Sequence, residues 1–372
     1  MFRFADKARR FINNAIDRRL HPESFIASDL TTFQIIHQQD LVSLRYYPPL
    51  NQPYIQVEDQ RIPVEEQLHS VPILLVPPLG VSAWIFDMLQ ERSLVRYLSA
   101  RGFKVYLVDW GQPTSVHSGV TLDNYAIEWL PAVLTTLRQH SGVSEVSLLG
   151  YCMGGLIALT YASYFKDPHI KNMVTLASPI DFYQAGVLGR ALALLGYPLQ
   201  QLGRATNRSL YRLNPKKFHI RGDKLSGYFR LFNPLGNITG YIDLVLNMAD
   251  RGYVSRHMTM SRWFNDMLDF PGATMQYMFV NVLGNQLVKK GYINLGDKKA
   301  ELKNITCPLL AIAGRNDRLA TADAAKKLIE LVGSADVEFK LMPGGHAGVF
   351  AGGKAPENTW KEAADWLIKR SN

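Results

Sequence analysis

The sequence predicts a mostly parallel β-sheet with helices on its faces and a mostly helical cap insertion, and three observations carry that expectation. Short continuous apolar runs recur between helical stretches, which is how strands covered on both faces read. The alternation of strand and helix continues to Leu176 and resumes at Leu309, the rhythm of a parallel sheet. Between them, Asp181 to Leu302 breaks the rhythm, being rich in Tyr, Phe and Trp with few strand-like runs. Three parts follow: residues 1–30 as an amphipathic basic N-terminal helix region, 31–180 with 303–372 as the core, and 181–302 as a helical cap or lid.

Each element has its own signature. Met1 to Leu20 places Phe4, Ala8, Phe11, Ile12, Ala15 and Ile16 on one helical face, with Arg3, Lys7, Arg9, Arg10, Arg18 and Arg19 over the remainder. Thr32 to Tyr47 alternates like an edge hairpin until Pro48, Pro49 and Pro53 interrupt it. Val71 to Val76 is a buried strand, Leu94 to Ala100 a helix closed by Gly102, and Lys104 to Val108 the next strand. Tyr125 to Gln139 reads as helix, Glu145 to Leu149 as strand, Gly154 to Phe165 as helix and Ile170 to Leu176 as strand. After the insertion come strand Leu309 to Ala313, helix Ala322 to Val332, strand Val337 to Met342 and helix Asn358 to Lys369. Six of the eleven methionines lie in the insertion (Met248, Met258, Met260, Met267, Met275, Met278), a composition suited to an adaptable lid over an apolar substrate or simply to a helical core.

Composition narrows the function. At 372 residues, 47% hydrophobic and 20% charged, the chain buries a substantial core, which excludes wholesale disorder. Its net charge of +9 attracts anions without marking a nucleic-acid binder. Cys152 and Cys307 are the only cysteines, so a disulfide framework is excluded and a reducing cytoplasm is expected. Charges interleaved through Met1 to Leu20 argue against a secretory signal, and the absence of any run of about 18 apolar residues argues against a membrane span. No metal or nucleotide motif is present, and no cofactor is expected.

The sharpest local signal is Gly150-Tyr151-Cys152-Met153-Gly154-Gly155, between the strand ending at Leu149 and the helix after it. This is a nucleophile elbow with cysteine in the nucleophile position, the mark of an α/β-hydrolase fold. Flanking glycines permit the tight turn, while the helix N-terminus favours thiolate and offers the Met153 N–H to an oxyanion. Such an elbow calls for an acid after a later strand and a histidine after the last. Asp317 and His346 occupy those places, with Asp323 the competing acid. A second oxyanion donor is expected from the N–H of Gly80 or Val81, after the first core strand. Cys307, before Pro308 and without an elbow, reads as structural.

These residues resemble the polyhydroxyalkanoate synthase family. Gly150 to Gly155 is similar to its G-x-C-x-G-G box, Asp317 to its acid and Gly345-His346-Ala347-Gly348 to its histidine motif. Val76-Pro77-Pro78, Asp87 to Leu98, Val105 to Trp110, Leu122 to Tyr125, Ser178 to Phe182 and Trp263 to Pro271 also resemble family segments, in order. Two departures stand out: Arg318 follows the acid where the family commonly has His, and about 70 residues precede the core, as in the short synthases that work with an accessory subunit. The resemblance implies transfer of 3-hydroxyacyl units from CoA thioesters through Cys152 to a growing polyester. The partners it implies are a hydroxyacyl-CoA, a polyester granule surface, an accessory synthase subunit and a second copy of the chain, in the cytoplasm or on granules. Two other readings stand beside it: a cysteine hydrolase of the dienelactone-hydrolase or thioesterase kind, and an inactive homologue that binds granules or acyl-CoA.

Overall fold

The computed structural model describes residues 2–186, 189, 194, 213–231, 241–283, 286–295 and 298–371. Eight strands form one sheet: β1 (Gln34–Gln39), β2 (Val42–Tyr47), β3 (Ile73–Val76), β4 (Val105–Asp109), β5 (Val146–Tyr151), β6 (Ile170–Leu176), β7 (Leu309–Gly314) and β8 (Val337–Met342). Their spatial order is β1-β2-β4-β3-β5-β6-β7-β8. β2 runs antiparallel to both neighbours, and the pairs from β4 to β8 are parallel. The order reverses around β3, so the crevice at the carboxyl ends of β3 and β5 is where this kind of sheet holds a ligand.

Burial on both faces explains the continuous apolar runs. Ile73, Leu75, Val105 and Leu107 pack into one buried cluster, whereas the intervening Leu74, Val76, Tyr106 and Val108 pack into another on the opposite face. The flanking helices are α2 (Leu94–Ala100), α3 (Leu130–Ser141), α4 (Met153–Phe165) and, closing the chain, the helix Lys361–Ile368. Helix and strand placements agree with the sequence pattern to within a few residues, but the helices expected over Tyr125 to Gln139 and Asn358 to Lys369 begin as π-helical turns, Asn124–Trp129 and Pro356–Trp360. The helix expected over Ala322 to Val332 is α-helical at Ala322–Lys326 and continues as a 3-10 turn, Lys327–Glu330. A short helix, His346–Ala351, also begins at the histidine that was expected in a loop.

The insertion contains α5 (Gly222–Leu231), α6 (Arg251–Asn265) and α7 (Gly272–Leu283), together with an unforeseen antiparallel hairpin, Tyr292–Leu295 against Lys298–Glu301. The polar Lys298-Lys299-Ala300-Glu301 arm hid that hairpin from a search for apolar runs. Residues 187–188, 190–193, 195–212, 232–240, 284–285 and 296–297 of the expected cap lie outside the described residues. Met248 and Met267 are buried, and Met258, Met260, Met275 and Met278 pack partly buried against core clusters, so these methionines fill interior space.

The N-terminal helix α1 (Phe2–Leu20) forms as its periodicity predicts, but docks through a different face. Asn14 is buried and its Nδ2 donates to the Met248 carbonyl at 2.8 Å, while Arg251 pairs with Asp17 at 2.8 Å. Most of the apolar face stays outside, with Phe11 39% exposed, Ile12 56% and Ile16 50%, and among its described side chains only Ala15 packs against the buried cluster of Phe25, Leu244, Met248 and Val254.

Candidate active site

The turn after β5 is built around close approaches that only glycine permits. A Cβ on Gly150 would lie 2.5 Å from the Gly155 Cα, one on Gly154 would lie 2.0 Å from the Val76 carbonyl oxygen, and one on Gly155 would lie 2.1 Å from Ser178 Oγ. Cys152, between them, sits at φ 52° and ψ −119°, a backbone conformation costly for a residue with a side chain. Its N–H donates to the Leu176 carbonyl of β6 at 2.8 Å, which helps fix the strained turn. Cys152 thus stands half-buried at the N-terminal end of α4, where unpaired N–H groups favour negative charge. Met153 is the first residue of α4.

Asp317 and His346 arrive from the next strand ends. Asp317 is fully buried at its side chain, and its Oδ1 accepts from the N–H groups of Leu319 and Ala320, both at 2.8 Å. Its Oδ2 lies 2.8 Å from His346 Nδ1. A carboxylate only accepts, so Nδ1–H donates and Nε2 is the ring nitrogen free to serve Cys152. Burial is the largest influence on His346 and opposes its charge. Negative charge on Cys152 and hydrogen bonds to Asp317 and Cys152 more than offset it, so the pKa is raised to about 10. The competing acid, Asp323, is exposed in the first turn of helix Ala322–Lys326.

Tyr151 is a site residue that the sequence reading missed. Its hydroxyl donates to the His346 carbonyl at 3.1 Å, and its ring stacks on Phe350 with centroids 4.2 Å apart. The ring is also 5.5 Å from the imidazole. Burial first, then negative charge on Cys152 and Asp317, hold its phenol well above the ordinary range, so it remains a neutral donor. The available signal was an aromatic residue immediately before the elbow cysteine, at the end of an apolar strand.

Gly80 is buried with φ 76°, Val81 follows half-buried, and their loop continues from the Val76–Pro77 carbonyls that crowd Gly154. Arg318 is exposed. Cys307 is far less equipped: burial pushes its thiol up to about 12, and it packs against the cluster on the other face of the sheet from the one touching Cys152. Among the described residues, no group of three or more His, Cys, Asp or Glu side chains is arranged to hold a metal ion.

A family model described as alpha/beta hydrolase fold matches residues 71–352. The poly(3-hydroxyalkanoate) polymerase subunit PhaC of Allochromatium vinosum is 29% identical over 97% of this chain and 95% of its own length. The subunit of the same name from Thiocystis violacea is 30% identical over 81% of this chain and 82% of its own. The Haloferax mediterranei PhaC is 29% identical over 82% of this chain, and the match spans 60% of that longer protein. Among solved structures, a soluble variant of the Saccharomyces cerevisiae monoglyceride lipase aligns at TM-score 0.55 with 15% identity, over 92% of this chain and 96% of that one, a likeness of fold. With a family model over most of its length and relatives matched nearly end to end, the chain belongs to the α/β-hydrolase fold family and, within it, to the poly(3-hydroxyalkanoate) polymerase PhaC family.

Proposed function

We propose that this chain is a polyhydroxyalkanoate synthase-like acyltransferase in which Cys152, His346 and Asp317 act as nucleophile, base and orienting acid. The observation that carries this reading is the imidazole held by Asp317 at 2.8 Å while interacting with the elbow cysteine. His346 takes the Cys152 proton, and the thiolate attacks the thioester carbonyl of a 3-hydroxyacyl-CoA. The tetrahedral oxyanion rests on the Met153 N–H and on an N–H of the Gly80–Val81 loop. Collapse expels CoA thiolate, which takes the proton from His346 and leaves the acyl group on Cys152. One thioester has replaced another, so the acyl-enzyme stays activated. His346 then deprotonates the hydroxyl of a second hydroxyacyl unit, whose attack forms the ester and frees Cys152.

Residues 181–302 act in this reading as a cap over the reacting acyl chain. Its start is tied to the helix that follows the acid loop, because Ile180 and Asp181 N–H groups both donate to the Ala324 carbonyl at 3.0 Å. An insoluble polyester requires a surface contact, which the exposed Phe11, Ile12, Ile16 and Leu20 side of α1, beside Arg9, Arg10 and Arg19, is suited to make with a granule or an accessory subunit. No helix among the described residues is long and apolar enough to cross a membrane. Because acyl-CoA is the donor, we place the reaction in the cytoplasm, at granules once polymer has formed. A second copy of the chain is a further partner in this reading.

Incubation with 3-hydroxybutyryl-CoA and a medium-chain homologue, following both CoA and polymer, tests the assignment. CoA release with polymer is expected. CoA release with free hydroxy acid alone would make it a cysteine hydrolase, and binding without CoA release an inactive homologue.

A further inference from the structure

One attachment of the insertion is a tightly zipped junction. The chain before α5 and the chain before α7 approach so closely that a Cβ on Gly222 would lie 1.8 Å from the Met267 carbonyl oxygen, and one on Gly272 1.8 Å from that of Pro215. Between these points Ile220 and Phe270 exchange backbone hydrogen bonds of 3.1 and 2.8 Å. Asp269 spans the junction. Its Oδ1 accepts from the Gly222 N–H at 2.9 Å, and its Oδ2 accepts from His219 Nε2 at 2.8 Å. The His219 side chain is only 6% exposed, and its Nδ1 is buried without a hydrogen-bond partner among the described residues. Asp269 therefore supplies the polar contact that fixes a buried ring.

The same junction grips the loop after β3. Leu268 N–H donates to the Gly80 carbonyl at 2.9 Å. Leu225 and Phe270 cover Gly80 so closely that a Cβ there would meet their side chains at 2.7 and 3.3 Å. In a trans peptide the carbonyl and the following N–H point in opposite directions, so engaging the Gly80 oxygen turns the Val81 N–H away from Leu268. One run of contacts therefore links His219 and Asp269, through Leu268, to the loop that crowds Gly154 beside Cys152.

We propose that His219 and Asp269 are a positioning pair for acyl transfer, fastening the root of the insertion so that Leu268 fixes the direction of the Val81 N–H. The inference rests on the acyl-transfer reading above and names the side chains outside the sheet on which its oxyanion geometry depends. The pair touches no reacting atom, so its loss acts on the chemical step while sparing the thiol itself.

The test compares Asp269→Ala and His219→Ala with Asp269→Asn and His219→Gln, which keep the polar contact. Three quantities are measured: kcat and KM with 3-hydroxybutyryl-CoA, hydrolysis of p-nitrophenyl acetate, and the rate of Cys152 alkylation by iodoacetamide, which needs no oxyanion donor. Asp269→Ala is expected to lower kcat at least about 10-fold with KM and alkylation within about 2-fold of the parent, and Asp269→Asn to recover most of the loss. Unchanged kcat, or kcat and alkylation falling together, would overturn the positioning role. If Asp269→Ala fails to fold, the histidine pair of variants decides by the same criteria. Turnover of p-nitrophenyl acetate without hydroxyacyl-CoA would sink the synthase reading, with the positioning pair then judged on ester cleavage. No turnover of either substrate by the parent protein would sink both.

Discussion

The carboxyl edge of the sheet and the helical layer attached to it treat their exposed and buried groups in opposite ways. At the edge, both Asp317 oxygens are engaged, the imidazole is held between carboxylate and cysteine, and Tyr151 ties the histidine backbone. In the outer layer, among the described residues, a histidine nitrogen is buried unpaired, while Ile12, Ile16, Leu20, Tyr241, Ile242 and Leu246 are exposed. Among the described residues, the polar groups at the sheet edge find their partners within the chain, whereas the outer layer leaves large apolar side chains uncovered.

The largest effect belongs to the thiols. Cys152→Ala should abolish CoA release and Cys152→Ser leave at most a trace, while Cys307→Ser, at a half-buried thiol whose pKa is pushed up, should keep activity within about 2-fold. Full CoA release by Cys152→Ala would end the covalent mechanism. Next come the acids. Asp317→Asn should lower kcat by roughly 10²–10⁴ because the imidazolium loses its charge partner, and Asp323→Asn, at an exposed helix-start position, should be silent. The reverse ranking in steady-state assays would move the acid to Asp323.

A smaller effect should appear in stability against pH. His346 is raised from 6.5 to about 10 in the folded chain, so its stabilising contribution is fully present below about pH 6.5 and is lost as pH rises through 10. Urea unfolding of the parent between pH 7 and 9.5 should show that decline, and Cys152→Ala, which removes the largest influence raising the pKa, should flatten it. Equal slopes in the two proteins would show that cysteine and histidine do not share charge. The smallest effect on chemistry is expected from deleting residues 2–20. That truncation should leave kcat within about 2-fold but reduce co-sedimentation with granules or capture by an accessory subunit. Unchanged sedimentation and capture would return α1 to ordinary structure.

What the sequence disclosed, and what it withheld, divides by whether the cause of a feature is local. The strands and the elbow were legible because their causes are local: apolar residues on both faces in Leu309 to Ala313, and glycines wherever backbone meets backbone in Gly150 to Gly155. Asp317 was harder to separate from Asp323, since a loop acid and a helix-start acid differ only in what they later face. The docked face of α1 was not legible, because Asn14 is buried by a carbonyl 234 positions away. Tyr151 and the His219–Asp269 pair depend likewise on partners that sequence spacing does not bring together.

The two thiols also set how the protein meets oxidants. A cysteine paired with a charged imidazole is the one peroxide attacks, giving a sulfenic acid whose usual rescue is condensation with a neighbouring thiol. Here the chain's other cysteine packs with the cluster on the opposite face of the sheet, so no resolving partner stands beside Cys152. Oxidised protein must then be repaired by a small thiol from solution or proceed to the irreversible sulfinic acid. After mild peroxide, mass spectrometry should find oxygen on Cys152 and not Cys307, with activity restored by dithiothreitol early and not late; an intramolecular disulfide would contradict this. Shelf life in air is thus written into the placement of two sulfur atoms.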